Sequence, residues 1–274
     1  MSRFKIGLQL YTIRDEMKKD VEGTLKKVAD MGYECVEFAG YFGYAAKDLN
    51  ALCKKYNLEP ISVHQGYNTF LEEPKETVEY LKELGVKYCA LPWMDSKLFT
   101  ESYSDTAENI KKIGALVKEN GMQLMYHNHD FEFYSKQGDK FTLDALYADI
   151  PSDILIPEID VCWVHYAGQN PVEYVKKYGS IMKILHLKDF ECKNLSSGPV
   201  YELIGDDNSK NNKEDNGFEF RPVGHGRQDI KAIVKAAEDT SVDYLIVEQD
   251  AHTSGNTDLE DAKISIDYLR SIGY

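Results

Sequence analysis

Four polar residues of metal-binding type each end a short apolar stretch of the chain: His127, Asp160, His186 and Glu248. A lone polar residue at the end of a strand is more often a turn or cap residue. Four of them together would bury several unpaired polar atoms in one place unless something bound them. Two imidazoles and two carboxylates form a donor set for which we expect Mn²⁺, with Mg²⁺, Co²⁺, Fe²⁺ and Zn²⁺ as alternatives. The pattern therefore predicts one divalent metal ion.

These four side chains can meet only if the fold brings the ends of their strands together. Eight brief apolar stretches alternate with longer amphipathic ones along the chain. The predicted strands are Lys5–Tyr11, Cys35–Phe38, Glu59–Val63, Tyr88–Leu91, Gln123–His127, Leu155–Asp160, Met182–Lys188 and Tyr244–Glu248. Eight such units with short links favour an α/β fold, a single-domain (β/α)₈ TIM barrel, whose strands converge at one mouth. No glycine-rich dinucleotide motif follows the first strand.

Helix-end signals and one long insertion complete the predicted organisation. Asp20 is expected to cap a helix, and Gly32 and Gly85 to end helices in the left-handed conformation. No composition break marks a second domain within residues 1–274. Residues 189–227 form an extended loop after the seventh strand, with a polar run at 205–217. We expect a surface excursion, and a lid over the mouth remains the alternative.

Composition and charge exclude several classes of protein. The chain has 274 residues and a formal net charge of -14, which disfavours nucleic acid and anionic membrane surfaces as partners. No stretch reaches the roughly 20 apolar residues that cross a bilayer, and the first residues lead directly into a strand pattern, so we expect a cytoplasmic protein. Five cysteines without CxxC spacing indicate neither a disulfide framework nor a thiolate zinc site.

Four stretches carry a resemblance to a known family. They are IGLQLYTIR from Ile6, GYECVE from Gly32, YHNHDFEF from Tyr126 and HLKD from His186. On the basis of these stretches, the chain resembles the xylose isomerase-like TIM-barrel superfamily. The resemblance extends over essentially the whole chain. This superfamily includes sugar phosphate isomerases and epimerases, tagatose and psicose epimerases and inosose dehydratase. The resemblance implies a small-molecule carbohydrate substrate and is compatible with a homo-oligomer.

The resemblance also implies roles for individual residues. Members of the group hold one divalent metal with Glu, Asp, His and Glu, which implies metal binding by Asp160, His186 and Glu248. His127 stands in place of the first Glu, so only Glu248 remains of the acid/base pair that the epimerases use. Glu132 is a candidate base or ligand, or a loop residue. The candidate catalytic residues are therefore Glu248, His127, Glu132 and His64.

Other polar and aromatic residues near the predicted mouth are candidates for binding the substrate. Each has an equally ordinary structural interpretation, as a cap, an ion-pair partner or a core aromatic residue. The candidates are Lys188, Trp93, Gln9, Glu37, Arg221 and His225.

The chemistry expected of this site is proton abstraction beside a carbonyl. A metal ion that binds the oxygens of a keto sugar would acidify the adjacent C–H and stabilise an enediolate. Reprotonation gives an isomerase or epimerase, which is the first expectation. Loss of a β-substituent gives a lyase or dehydratase of a keto sugar, keto-glycoside or keto-inositol, and the histidine at 127 adds weight to this alternative. A carbohydrate-binding subunit without turnover is the second alternative.

Overall fold

Eight parallel strands close into a barrel in the computed structural model, which describes residues 3–201 and 213–274. The strands are β1 (Lys5–Gln9), β2 (Cys35–Ala39), β3 (Glu59–His64), β4 (Tyr88–Leu91), β5 (Gln123–His127), β6 (Leu155–Asp160), β7 (Ile184–Leu187) and β8 (Tyr244–Val247). Each strand pairs with the next along the chain, and β8 pairs with β1. The predicted (β/α)₈ barrel is confirmed.

Helices surround this barrel, and three predicted end signals are present on two of them. Asp20 accepts a hydrogen bond from the backbone N–H of Gly23, and Gly32 and Gly85 have left-handed φ angles. Four short helices were not predicted: Arg14–Lys19, Tyr67–Glu72, Ser96–Thr100 and Val161–Tyr166. The longer helices are Val21–Met31, Ala46–Lys55, Pro74–Leu84, Tyr103–Glu119, Thr142–Asp149, Pro171–Tyr178, Ile230–Ala237 and Asp258–Ser271. Short 3₁₀ turns cover Leu10–Ile13 and Phe131–Phe133.

Alternation along the strands sends the polar candidates into the barrel. A small apolar cluster contains Cys35, Met125, Ile156, Ile184 and Ile246. Side chains two positions apart on a strand share a face. The residues two positions further on therefore lie above this apolar floor, on the same interior face: Glu37, His127, Glu158, His186 and Glu248.

The register brings neighbouring polar residues to the same height. His127 on β5 pairs with Glu158 on β6, and Asp160 pairs with His186 on β7. The strand register alone thus juxtaposes three of the four predicted metal ligands with a further carboxylate.

The segment after β7 begins with a short antiparallel pair, Asp189–Glu191 with Glu219–Arg221. Its described residues pack an apolar cluster against the helix Val161–Tyr166, including Phe190, Val200 and Phe218. The polar run does not indicate this cluster. Positions 205–212 of that run lie outside the described residues. Within residues 3–201 and 213–274, no helix has both the length and the apolar composition needed to cross a bilayer.

Candidate functional site

A cavity of about 580 Å³ opens at the carboxyl ends of the strands. Five of the predicted site residues line it: His64, Trp93, His127, Lys188 and Glu248. Further lining residues include Arg14, His129, Trp163, Tyr201 and Asp250. This volume is typical of small-molecule sites, and a polar floor with aromatic walls is suited to a hydroxylated ring.

The four predicted metal ligands converge at this cavity, where His127 and Glu248 line the wall and Asp160 and His186 are buried behind them. Their ligand atoms lie within 4.8 Å of one another, and we call His127, Asp160, His186 and Glu248 the upper donor group. Nε2 of His127 lies 3.7 Å from Oδ2 of Asp160 and 3.8 Å from Oε2 of Glu248. Nδ1 of His186 lies 3.1 Å from the same oxygen of Glu248.

The state of Asp160 indicates that these residues fit a divalent cation. Oδ1 accepts a hydrogen bond from the backbone N–H of Cys162 at 2.8 Å. No described residue donates a hydrogen bond to the buried Oδ2, which faces the other donors of the group. Burial raises the pKa of Asp160 to about 7, against the opposing charge of Lys188. A cation would satisfy this oxygen, and the nitrogen and oxygen donor set suits Mn²⁺ or Zn²⁺.

Lys188 supplies a buried positive charge beside the upper donor group. Its Nζ lies 2.7 Å from Oδ1 of Asp250, 3.3 Å from Oε2 of Glu248 and 3.5 Å from Oδ2 of Asp160. Although burial opposes the charge, these carboxylates raise the pKa of Lys188 well above its usual value. The same ammonium group lies 5.1 Å from the centre of the Trp163 ring. Lys188 therefore stays protonated where it faces the cavity.

A second cluster, which we call the deep layer, adjoins the upper donor group and is formed by Glu37, His64 and Glu158. Nε2 of His64 lies 2.9 Å from both Oε1 of Glu37 and Oε2 of Glu158. Burial lowers the pKa of His64, but the two carboxylates outweigh it and raise that pKa to about 10. His64 is therefore a cation held between two acids, and its Nε2 is already engaged.

The imidazole rings of His127 and His186 connect the deep layer to the upper donor group. Nδ1 of His127 lies 3.2 Å from Oε2 of Glu158, within hydrogen-bond geometry. Nε2 of His186 lies 2.9 Å from Oε1 of Glu37, but its ring N–H points out of line with that oxygen. Ligand atoms of His64, His127, Glu158 and His186 also lie within 4.8 Å of one another.

Gln9 and Glu37, predicted to bind substrate, are not among the residues that line the cavity. Both are fully buried, and Nε2 of Gln9 donates to Oε1 of Glu37 at 2.7 Å. Oε1 of Gln9 accepts from the backbone N–H of Tyr11. Their contacts fix the base of the site.

The loop after β5 separates Glu132 from the cavity and brings His129 to it. Oε1 of Glu132 accepts from the hydroxyl of Tyr126 at 2.6 Å, and Oε2 accepts from the backbone N–H of His129 at 3.0 Å. Burial raises the pKa of Glu132 to about 8. Glu132 is absent from the cavity lining and instead shapes the loop that carries His129.

His129 is buried at the cavity wall, with its ring centre 3.7 Å from that of Tyr201. Its Nδ1 has no hydrogen-bond partner among the described residues. Burial and the positive charge of Lys188 hold the pKa of His129 well below its usual value. It is a neutral imidazole with one unengaged nitrogen.

Arg221 and His225 are not among the residues that line the cavity. Nη2 of Arg221 lies 2.7 Å from Oε2 of Glu219, and the ring of His225 lies 6.0 Å from that of Tyr268. The turn that carries His225 points its backbone inward. Gly224, Gly226 and Gln228 donate their N–H groups to the carboxylate of Asp189. A Cβ at Gly224 would lie 2.3 Å from the ring of Tyr268, and one at Gly226 would lie 2.3 Å from Oδ1 of Asp189, which explains the two glycines of this turn.

Three residues of the site were missed or given little weight in the sequence: Glu158, Asp250 and His129. Glu158 and Asp250 each lie two positions from a predicted ligand, Asp160 and Glu248. Period-two alternation would have found these two residues, one step before Asp160 and one step after Glu248.

Comparison with known proteins adds to this geometry. The inosose dehydratase of Clostridium perfringens strain 13 is 30% identical over 182 residues, which cover 65% of this chain and 58% of that relative. The inosose dehydratase of Mesomycoplasma hyopneumoniae strain J is 27% identical over 303 residues, 99% of this chain and 97% of the relative.

Solved structures share the fold. A sugar phosphate isomerase/epimerase from Parabacteroides distasonis ATCC 8503 superposes with a TM-score of 0.78 at 22% identity, over 99% of this chain and 95% of its own. The IOLI protein, determined with a bound zinc atom, superposes with a TM-score of 0.69 at 16% identity, over 98% of each chain. The family model described as Xylose isomerase-like TIM barrel matches residues 25–272. The resemblance seen in the sequence is therefore confirmed, and the chain belongs to the Xylose isomerase-like TIM barrel family.

Proposed function

We propose that the chain is a divalent-cation-dependent lyase that removes the proton beside the carbonyl of a keto sugar or keto-inositol and then expels the β-oxygen as water. The observation that carries this proposal is the convergence of the upper donor group at the cavity. The two relatives of this chain described above are inosose dehydratases, which supports elimination over isomerisation or epimerisation.

The upper donor group would hold the cation through His127, Asp160, His186 and Glu248. When bound, a divalent cation supplies Lewis-acid stabilisation of negative charge on the substrate's oxygens. Mn²⁺ is our first choice of ion. The IOLI protein, which shares the fold, was determined with a bound zinc atom, and this supports a cation site in the proposed function.

His129 is the group best suited to take the substrate proton. It is neutral and it lines the cavity. By contrast, Nε2 of His64 contacts two carboxylates, and Glu132 lies behind the loop. The C–H electron pair becomes the new double bond as the β C–O bond breaks, and the imidazolium of His129 returns its proton to the departing hydroxyl, which leaves as water.

Lys188 and Trp93 complete the proposed site. The ammonium group of Lys188 is buried and held protonated beside Asp250. It therefore stabilises the negative charge that develops on the carbonyl oxygen of the substrate. Trp93 offers an aromatic wall for the apolar face of the substrate ring.

An isomerase or epimerase is the second candidate. Glu248 and His129 follow β8 and β5, two different parts of the barrel rim, and both line the cavity. Two proton-transferring groups on different sides would allow the carbanion to be reprotonated on its other face.

Incubation of the Mn²⁺-loaded protein with an inosose and with a keto-glycoside in D₂O separates these functions. Elimination predicts an unsaturated or dehydrated ketone that absorbs in the near ultraviolet. Epimerisation predicts deuterium at the α carbon without loss of the β-substituent. Absence of both exchange and product with every keto compound, in protein shown to contain the cation, would refute both candidates.

A further inference from the structure

Glu158 is a fully buried carboxylate that has no place in the mechanism proposed above. It lies on β6 in register with His127 on β5, and it is absent from the cavity lining. Substrate therefore has no direct access to it. A buried carboxylate costs free energy unless it is compensated, so its contacts should reveal what it does.

Those contacts are with ring nitrogens. Oε2 of Glu158 lies within hydrogen-bond geometry of Nε2 of His64 at 2.9 Å and of Nδ1 of His127 at 3.2 Å. The opposite nitrogen of His127, Nε2, faces Asp160 and Glu248 in the upper donor group. The His127 ring therefore stands between Glu158 on one side and the candidate cation position on the other.

The proton of the His127 ring can occupy only one of its two nitrogens. A neutral imidazole has one N–H and one lone pair, and a nitrogen that binds a cation must present the lone pair. A carboxylate accepts hydrogen bonds and cannot donate them when ionised. An ionised Glu158 at Nδ1 thus selects the tautomer with the proton on Nδ1 and the lone pair on Nε2.

We propose that Glu158 is a positioning residue that holds the Nδ1 proton of His127, so that Nε2 presents its lone pair to the cation, an inference that rests on the cation site of the proposed function. The carboxylate also fixes the plane of the ring and makes Nε2 a stronger donor. Such carboxylate partners of metal-binding histidines typically change cation affinity by about 10–100-fold when they are removed.

There is a rival arrangement, in which a second cation binds to His64, His127, Glu158 and His186. That arrangement needs the lone pair of His127 on Nδ1, which moves the ring proton to Nε2 and takes this nitrogen from the upper donor group. The N–O separations of 2.9 and 3.2 Å match hydrogen bonds to Glu158. The geometry favours the positioning role.

The test combines Co²⁺ titration with ¹⁵N NMR of the histidine rings. The titration compares the full-length wild-type chain, Glu158→Gln, His127→Glu, the double variant and Glu59→Gln. Glu59 is the matched control, because it is a barrel glutamate that pairs with Lys5 and Lys87 and does not line the cavity. A carboxylate at 127 has no ring proton to fix, so Glu158 should matter only while His127 is present.

We expect one Co²⁺ per wild-type chain, about 10–100-fold weaker binding in Glu158→Gln, and wild-type affinity in Glu59→Gln. In the His127→Glu background, Glu158→Gln should change the affinity by less than about threefold, since coupled residues are non-additive. In metal-free wild-type protein, His127 should carry its proton on Nδ1.

Three results would overturn the inference: a second Co²⁺ that Glu158→Gln removes, an unchanged affinity in Glu158→Gln, or a wild-type His127 with its proton on Nε2. The NMR measurement needs no variant, so a variant that fails to fold does not block the test. If the wild-type chain binds no Co²⁺, the cation site of the proposed function fails, and the tautomer of His127 still decides the role of Glu158.

Discussion

The ammonium group of Lys188 lies 2.7 Å from Oδ1 of Asp250, and both groups face the cavity beside the upper donor group. This ion pair places a fixed positive charge next to two candidate ligands, Asp160 and Glu248. Lys188 thus competes with a cation for the same oxygens while it stabilises negative charge on a substrate. A variant without this ammonium group should therefore bind the cation more tightly and turn over the substrate more slowly.

Lys188→Met should separate them. Removal of the ammonium group should lower turnover by roughly 10²-fold, because a preorganised charge at the reacting oxygen is lost. The affinity for Mn²⁺ should rise by about tenfold or more, because the carboxylates lose a competing positive charge at close range. Steady-state kinetics and calorimetric Mn²⁺ titration measure both values. Lys26→Met, which removes an exposed ion pair with Asp30, is the control. Weaker Mn²⁺ binding in Lys188→Met would contradict this account.

His129→Asn should affect chemistry and spare cation binding. His129 is outside the upper donor group, so the Mn²⁺ dissociation constant should stay within about threefold of wild type. Loss of a general base typically costs about 10²–10⁴-fold in rate, and exchange of the α-proton in D₂O should fall by that factor. Unchanged exchange would assign the base to another residue.

Asp130 should make stability depend on pH with a sign unusual for an aspartate. Its Oδ2 accepts hydrogen bonds from the backbone N–H groups of Val200 and Tyr201, and burial raises its pKa to about 6. The folded state therefore holds the proton more tightly than the unfolded state. The stability it contributes is complete below about pH 4 and is lost as the pH rises through 6.

Urea unfolding of wild type and Asp130→Asn, both without metal, checks this sign at pH 4, 5, 6 and 7. Other carboxylates cancel in the comparison of the two proteins. Wild type should lose roughly 2–3 kcal/mol relative to the variant between pH 4 and 7. A difference that stays constant with pH, or that changes in favour of wild type, would show that the pKa of Asp130 is not raised.

Gly226 should tolerate no side chain. A Cβ there would lie 2.3 Å from Oδ1 of Asp189 and 2.6 Å from the backbone oxygen of Phe190. Gly226→Ala must therefore displace the turn whose amides hold Asp189, at a cost of about 1–3 kcal/mol in unfolding free energy. Gly66→Ala, where the nearest atom lies 3.4 Å away, should change stability by less than about 1 kcal/mol. Equal stabilities for the two variants would refute the packing argument.

The barrel and the upper donor group were predictable because both follow from strict periodicities. Apolar strands alternate with amphipathic helices, and a ligand-type residue lies within one position of the end of each of strands β5 to β8. The cluster of Glu37, His64 and Glu158 was not predicted, because the sequence indicated Glu37 as a substrate contact and His64 as a catalytic residue. A sequence shows that Glu158 shares a face with Asp160, but it does not show that the register aligns Glu158 with His127.

The loops were predicted less well for a different reason. Glu132 was a candidate base, ligand or loop residue because it lies five positions after His127. The 3₁₀ turn at Phe131–Phe133 directs its carboxylate back to the N–H of His129. Arg221 and His225 have side chains typical of a binding site. Their positions depend on the antiparallel pair after β7, which joins residues about thirty positions apart and leaves no local pattern.

Anomalous diffraction from crystals soaked in Mn²⁺, recorded on both sides of the manganese edge, tests the central claim most directly. We predict a single peak within about 2.0–2.3 Å of Nε2 of His127, Oδ2 of Asp160, Nδ1 of His186 and Oε2 of Glu248. A peak among His64, Glu158 and Nδ1 of His127, or no peak inside the barrel at saturating Mn²⁺, would contradict it.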